Sequence, residues 1–263
     1  MFGGRAGAAA WRKRWNDFLK RMEAILDRRL RRHFVRIAIA AAQSRDDAAL
    51  KKVDAAVKTI IAHQVMVKNE VSKMALDAAA GLSENPPKLP DGTPWKRPPL
   101  KEYHRAVNEA SLAWRGARAS LIVNAVHGVM RRAKETVGRE MLAAKPDATV
   151  AEIRIKIEST VARNAKSAAA VAALTETHAA SMAAQEAATR ALGVPIAARS
   201  WISTSDNRTR PTHRAADGQR QPDGHPFQVG GFSLMMPGDS SLGAPPEETV
   251  NCRCGVIYEV ARK

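Results

Sequence analysis

Four side chains near the carboxyl end of the chain are of types that could bind a metal ion. Cys252 and Cys254 are separated by one residue, and His213 and His225 lie upstream of both. Thiolate and imidazole are ligands that zinc prefers, and four of them make a tetrahedral site. Zinc is therefore the candidate cofactor, with His213, His225, Cys252 and Cys254 as its candidate ligands.

The spacing of the two cysteines also allows an interpretation without a metal. Zinc fingers usually place two to four residues between paired cysteines, so a Cys-x-Cys can chelate only where the backbone bends sharply. In this alternative, Cys252 and Cys254 are small buried residues at the start of a strand, and His213 is a hydrogen-bonded loop histidine. A disulfide between them would be strained, so we expect free thiols and a reducing compartment.

The segment that holds these residues is rich in turn formers and charged side chains. Its structural motif comprises Trp201, Asp206, Arg208, Arg210, Asp217, Gly218 and Asp239. We expect charge-assisted hydrogen bonds between Asp206 and the nearby arginines to hold one loop, and the functional alternative is a clamp for phosphate or carboxylate. The Asp-Gly and Pro-Gly-Asp sequences predict turns, and the tryptophan predicts a core anchor.

Glu176 lies upstream on an alanine-rich segment. A lone glutamate could act as a general base. The sequence supplies no partner for that role, because it has no Ser-His-Asp order, no Gly-rich phosphate loop and no His-Glu-x-x-His. We interpret Glu176 as a structural residue that pairs with a loop arginine such as Arg208, and we name no catalytic residue.

Hydrophobic periodicity predicts long helices upstream of these motifs. Apolar residues recur every three or four positions from Trp11 to Ile37, and similar patterns run over about 46–80 and 101–144. An Ala-dense helix over about 164–192 ends at Gly193, a common stop signal.

Between the last two helical patterns, Thr149 and Glu152 fit a capping box, although Ile153–Ile157 also alternates like a strand. Short β-like stretches follow the last helix, at Ala198–Ile202, Phe227–Leu234 and Cys254–Val260. The predicted fold class is mainly α, with long N-terminal helices followed by a small α+β, turn-rich C-terminal module. The low aromatic content of 5% also favours helices over a sandwich or barrel.

Proline marks a boundary within the helical part. Six of the fourteen prolines lie between residues 83 and 100, which predicts an extended connector. We therefore predict four regions: a basic helical region at 1–82, the Pro-rich connector at 83–100, a helical region at 101–195 and the C-terminal module at 196–263.

The net charge of +16 is unevenly distributed. Residues 1–40 hold eleven basic and three acidic side chains, which is half of the net charge. We expect the apolar stripe of this helix to pack in the core and its basic face to contact DNA or an acidic partner. The alternatives are an ordinary solvated face, docking into a partner's groove, or contact with a membrane surface. The candidate binding residues are Arg12, Lys13, Arg14, Arg21, Arg28, Arg29 and Arg32.

Membrane insertion and secretion are not expected. No apolar run approaches the roughly 18–20 residues that span a bilayer. Trp11-Arg-Lys-Arg14 stands where a signal peptide would need its apolar stretch. We expect a protein made in the cytoplasm.

Taken in order, the motifs resemble those of the Mu F-like minor head protein family of tailed bacteriophages. The resemblance covers roughly residues 150–260. It rests on Thr175-Glu176-Thr177, on an aromatic followed by Ser/Thr and Asp206-x-Arg208-x-Arg210-Pro211-x-His213, on Asp217-Gly218, on Pro237-Gly238-Asp239 and on Asn251-Cys252-Arg253-Cys254. Some members carry Cys-x-x-Cys where this chain has Arg210-Pro-Thr-His213, so a four-cysteine metal site does not carry over.

The resemblance implies a non-enzymatic structural protein that acts in head morphogenesis and is present in few copies. The implied partners are the portal, scaffolding and major capsid proteins, together with packaged DNA. The implied location is the virion, in the head interior or at the portal vertex, after assembly in the host cytoplasm. Two other classes stay open: a free nucleic-acid-binding protein that uses the basic helix, and a metal-dependent nuclease or toxin-like enzyme built from His213, His225 and Glu176.

Overall fold

Four long helices make up most of the molecule. The computed structural model describes residues 8–261, so Arg5, one of the eleven basic residues counted within residues 1–40, lies outside the described residues. The helices are α1 (Ala8–Ala42), α2 (Asp46–Ala80), α3 (Leu100–Leu142) and α4 (Val150–Ala191). None of the helices within 8–261 is both long enough and apolar enough to cross a membrane.

The elements after α4 are short. They are β1 (Ile196–Ile202), α5 (Pro211–Ala215), β2 (Arg220–Pro222), β3 (Phe227–Val229), β4 (Phe232–Leu234), α6 (Pro246–Thr249) and β5 (Gly255–Val260). β1 is the centre of an antiparallel sheet of order β2-β1-β5, and β3 pairs with β4 in a hairpin. The predicted fold class, long N-terminal helices followed by a small α+β module, is confirmed.

The chain divides into two compact units, and each long helix contributes to both. The module unit takes in the chain up to Met22, Gln64–Trp114 and the chain from Thr175 onward. The helix unit consists of Glu23–His63 and Arg115–Leu174. The four regions predicted from the sequence, with boundaries at 82, 100 and 195, stay a prediction of domain organisation.

Small and aliphatic side chains from all four helices form the core of the helix unit. Leu26, Leu30 and Phe34 of α1 are fully or almost fully buried in it. Ala165, Ala169 and Ala173 of α4 lie in the same cluster at four-residue spacing. Alanine at this spacing favours the helix and lets a neighbouring helix approach closely.

Two helix ends follow local sequence signals. Thr149 and Glu152 form the predicted capping box, because the Thr149 backbone N–H donates to the Glu152 carboxylate at 2.8 Å and the Glu152 N–H donates to Thr149 Oγ1 at 3.3 Å. The strand-like alternation after it is helical in the structure. α4 ends before Gly193, whose φ of +63° suits glycine.

The amino-terminal part of α1 packs on the C-terminal strand within the module unit. Trp11 and Trp15 are buried, and their rings stack at 5.3 Å between centroids. Gly255 lies directly beneath them, where a Cβ atom would overlap the Trp11 ring. Arg12 lies on the same turn of α1, and its Nε donates a hydrogen bond to the Ser203 carbonyl at 2.8 Å.

The Pro-rich segment of the module unit is a packed loop. Trp95 is buried, and its indole N–H donates to the Leu192 carbonyl at 2.9 Å. Trp95 and Tyr103 belong to one hydrophobic cluster with Leu192. Proline excludes regular structure here, as expected, but one aromatic side chain anchors the loop to the end of α4.

Candidate metal centre

The structure brings three of the four candidate zinc ligands together. His213 lies in α5, and Cys252 and Cys254 precede β5. The ligand atoms of His213, Cys252 and Cys254 all lie within 4.8 Å of one another. Each of the three residues is at most 2% exposed. His225, the fourth candidate, is exposed, and its Nδ1 lies 3.2 Å from the Asp223 carbonyl oxygen.

The chain turns just before the Cys-x-Cys, and both thiols face the histidine. Side chains at i and i+2 point to the same side of an extended strand, but a Cys-x-Cys needs further convergence to reach one point. Asn251 has a φ of +58°, the left-handed conformation that asparagine tolerates better than most residues. The chain turns there, and His213 Nδ1 lies 3.4 Å from Cys254 Sγ and 3.6 Å from Cys252 Sγ.

Glu248 orients the imidazole from its other side. Glu248 Oε2 lies 3.0 Å from His213 Nε2 and also accepts a hydrogen bond from Thr212 Oγ1 at 2.9 Å. A Cβ atom at Gly230 would overlap the Glu248 carboxylate, so this carboxylate is packed tightly. A carboxylate beside Nε2 favours the tautomer with its proton on Nε2, in which the lone pair of Nδ1 faces the thiols.

The two thiols differ in acidity. Burial opposes the ionisation of Cys252, but hydrogen bonds with Cys254 and the charge of Arg210 bring the pKa of Cys252 below its usual value. The hydrogen bond with Cys252, reinforced by burial, raises the pKa of Cys254 far above its usual value. The pair therefore favours one thiolate that accepts a hydrogen bond from the neighbouring thiol.

The distances fit a tetrahedral zinc ion. Zn–N bonds of about 2.0–2.1 Å and Zn–S bonds of about 2.3 Å at the tetrahedral angle place nitrogen and sulfur about 3.6 Å apart. His213 Nδ1 lies at 3.4 and 3.6 Å from the two sulfurs. Both nitrogen–sulfur distances therefore fit the cation. His213, Cys252 and Cys254 could hold it, and His225 lies outside the group.

Trp201 packs directly against this cluster. Its ring meets the His213 ring edge-on at 5.5 Å between centroids and the Phe227 ring in the same way at 5.5 Å. Trp201 is completely buried. The motif residues Trp201, His213, Cys252 and Cys254, which are far apart in sequence, are thus one packed group.

Asp206 caps its own turn and pairs with a distant arginine. Its carboxylate accepts hydrogen bonds from the Arg208 backbone N–H at 3.1 Å and from Thr209 Oγ1 at 3.0 Å. Its ion pair is with Arg253 at 2.9 Å. The arginines next to Asp206 in sequence have other environments. The Arg208 side chain is exposed, and Arg210 donates a hydrogen bond to the Val250 carbonyl. The ion-pair partner of Asp206 thus comes from a distant part of the module.

Two other aspartates of the structural motif also accept hydrogen bonds from backbone N–H groups. Asp217 accepts from the Ser203 N–H at 2.7 Å and pairs with Arg12 at 3.1 Å, and the Gly218 N–H donates to the Trp201 carbonyl at 2.9 Å. Asp239 accepts from the Met235 and Ser241 N–H groups at 3.1 and 3.0 Å.

Side chains of α4 cover the free edge of β5. His178 Nε2 lies 2.7 Å from the Cys254 carbonyl oxygen, and Gln185 donates to the Val256 carbonyl at 2.7 Å. Gly238 fits against the His178 ring, where a Cβ would come within 2.9 Å of Nδ1. Glu176 is buried on the same helix and accepts from Gln64 at 3.1 Å. This part of α4 thus supplies hydrogen-bond partners to backbone carbonyl groups at and next to β5, the edge strand of the sheet.

The basic candidates on α1 fall into two groups. Arg12 is partly buried and engaged with Ser203 and Asp217. The other six are exposed: Lys13, Arg14, Arg21, Arg28, Arg29 and Arg32.

Sequence reasoning missed two residues that organise the module. Arg199 is 1% exposed on β1 and donates to the carbonyls of Met235 and His225 at 2.9 and 2.7 Å. An arginine two residues before Trp201 shares its face of the strand, and that spacing was the available signal. Glu248 had only its place in a short Pro-Pro-Glu-Glu sequence near the cysteines as a signal.

Comparison with known proteins gives one match. A family model described as Phage Mu protein F like protein matches residues 117–257, which is more than half of the chain. The matched range includes every residue of the metal cluster and parts of both units. The comparisons with curated proteins and with solved structures found no match.

Proposed function

The chain belongs to the Phage Mu protein F like family, and from this we propose that it is a structural protein of a tailed-bacteriophage head that acts in head morphogenesis. The observation that carries the proposal is the convergence of the family motif on one packed cluster around Trp201 and His213. A module held by many specific contacts is suited to serve as a rigid docking unit.

The proposed role is assembly rather than catalysis. Glu176, the candidate general base, is 6% exposed and bonded to Gln64. His213 is bonded to Glu248 and covered by Trp201, so a substrate would have to displace core side chains to reach it. Zinc enters this proposal only as a structural ion.

The proposed partners of the module unit are the portal, scaffolding and major capsid proteins, and the proposed location is the head interior or the portal vertex. The test is co-expression of the tagged chain with the head proteins of its own phage, followed by gradient sedimentation. We expect it to co-sediment with portal-containing particles. If it stays at the top of the gradient in their presence, the portal and procapsid assignment is wrong.

Packaged DNA is the second proposed partner, through the exposed face of α1. Arg28, Arg32 and Arg36 are exposed and follow one another at four-residue spacing. Replacing all three by alanine should weaken binding to duplex DNA and reduce the slope of log affinity against log salt by about 0.9 for each lost phosphate contact.

A matched control removes the same charge elsewhere. Lys88, Lys96 and Arg97 are exposed in the Pro-rich loop, and their replacement by alanine should leave the slope nearly unchanged. Equal losses in both variants would mean that net charge, rather than the α1 face, attracts the DNA.

The two alternative functions predict different results. A free nucleic-acid-binding protein would bind DNA but be absent from heads. A metal-dependent nuclease would cut plasmid DNA with zinc, magnesium or manganese, and we expect the plasmid to stay intact.

A further inference from the structure

We propose that the module unit binds a zinc ion through His213 Nδ1, Cys252 Sγ and Cys254 Sγ, and that Glu248 is the positioning residue for His213. This inference goes beyond the assembly role, and zinc content and head assembly are measured separately, so either can fail alone.

The ligand set and its spacing support zinc. Two thiolates and an imidazole form a soft donor set that suits zinc better than calcium or magnesium, which take oxygen ligands. The nitrogen–sulfur distances of 3.4 and 3.6 Å agree with the tetrahedral value of about 3.6 Å. Burial of all three ligands excludes competing solvent from most of the site.

Glu248 selects the nitrogen that faces the thiols. Metal-bound histidines commonly donate their second ring N–H to a carboxylate, which fixes the tautomer and ring orientation. Glu248 Oε2 lies 3.0 Å from His213 Nε2, and Thr212 together with the space left by Gly230 holds the carboxylate there. This contact needs no movement when the ion binds.

The ion would cross-link parts of the chain that are far apart in sequence. It would join α5 to the bend before β5, next to Gly255, on which Trp11 packs. Three protein ligands leave one tetrahedral position for a solvent oxygen. Because each protein ligand is at most 2% exposed, the ion would lie inside the module and would stabilise the fold.

The first test is metal content. The full chain is purified under reducing conditions from zinc-supplemented cells, and zinc is measured by elemental analysis. We expect stoichiometric zinc in the wild type and in His225→Ala, which removes an exposed histidine outside the cluster. Cys252→Ser and Cys254→Ser should each reduce it at least tenfold. Wild-type zinc at the level of the Cys252→Ser/Cys254→Ser double variant would overturn the proposal.

A second test uses wild type alone, because a cysteine variant could fail to fold. Zinc is removed with a chelator and replaced by Co²⁺, whose absorption spectrum reports tetrahedral geometry and thiolate bonding. We expect thiolate-to-cobalt charge transfer and intense visible bands. A spectrum of octahedral cobalt without charge transfer would overturn the ligand assignment.

The role of Glu248 is tested by affinity. Glu248→Ala removes the acceptor and should lower zinc affinity about 10- to 100-fold, as is typical for such partners. Glu248→Gln keeps the volume and an acceptor oxygen and should recover most of that loss. Unchanged affinity in Glu248→Ala, or no recovery in Glu248→Gln, would contradict the positioning role.

Discussion

Different kinds of contact stabilise the interior of the module unit and the interior of the helix unit. All five tryptophans, both tyrosines and both cysteines of the chain lie in the module unit, whereas Phe34 is the one Phe, Tyr or Trp in the sequence of the helix unit. The core of the helix unit is mainly Ala, Val, Leu and Ile. In the module unit, the buried side chains of His178, Gln185 and Arg199 each hydrogen-bond a backbone carbonyl of another segment.

The two units also differ in net charge. The helix unit holds twenty basic and ten acidic side chains, so its net charge of +10 is most of the chain's +16. Aliphatic packing tolerates exchange among residues of similar volume, whereas directional contacts do not. The difference distinguishes a module stabilised by directional contacts from a helical part that carries most of the positive charge.

Truncation of one large core side chain in each unit should have the largest effect. Trp201→Ala and Phe34→Ala each remove a buried aromatic and should each cost about 3–5 kcal/mol. Tryptophan fluorescence reports the module unit alone, while far-ultraviolet ellipticity reports the helices of both. We expect Trp201→Ala to shift mainly the fluorescence transition and Phe34→Ala mainly the ellipticity transition. Identical shifts of both probes in both variants would show one cooperative structure.

Mild acid should weaken the helix unit through His63. Burial, with a contribution from the Arg29 charge, lowers the pKa of His63 from 6.5 to about 4. Below pH 6.5 the unfolded chain binds a proton that the folded chain refuses, so stability is full above pH 6.5 and falls toward pH 4. The loss is about 3 kcal/mol. Denaturant titrations between pH 7 and 4 should show a smaller loss in His63→Gln, and an equal loss would rule this group out.

Adding one methyl group should have opposite signs in the two units. Gly255→Ala forces a Cβ into the Trp11 ring and should cost about 1–3 kcal/mol. Gly116→Ala adds a Cβ in open space within α3 and should stabilise by about 1 kcal/mol. Chemical denaturation of both variants checks this. A neutral Gly255→Ala would mean that α1 does not pack on β5 as described.

The smallest effect is expected at the start of α4. Thr149→Ala removes a capping-box side chain and should cost about 1 kcal/mol of the helix unit's stability. Thr149→Ser keeps the hydroxyl and should stay close to wild type. Thermal unfolding followed by ellipticity distinguishes them, and equal losses would assign the effect to the lost methyl group.

Local patterns were sufficient to predict the helices and the family. The Trp11–Ile37 periodicity, the capping box and the Gly193 stop each act within a few residues, so they are readable in the chain. The family resemblance rested on ordered motifs around Asp206 and Cys252, and the family match confirms it.

Contacts between distant segments could not be predicted in this way. Arg12 was placed among the DNA-binding candidates because charge is visible in a sequence, whereas its bond to Ser203 joins opposite ends of the chain. Cys252, Cys254, His213 and His225 were grouped by residue type, but only the tertiary structure shows that the first three converge and that His225 lies outside the group. Such contacts require the tertiary arrangement that periodicity does not encode.

The head assignment is tested most directly by quantitative mass spectrometry of purified heads, comparing wild type with Trp201→Ala and with the Arg28/Arg32/Arg36 alanine variant. We expect wild type in the heads at low copy number, Trp201→Ala missing from them, and the arginine variant retained because the module unit makes the attachment. Absence of the wild-type protein from heads and procapsids would contradict the proposed function.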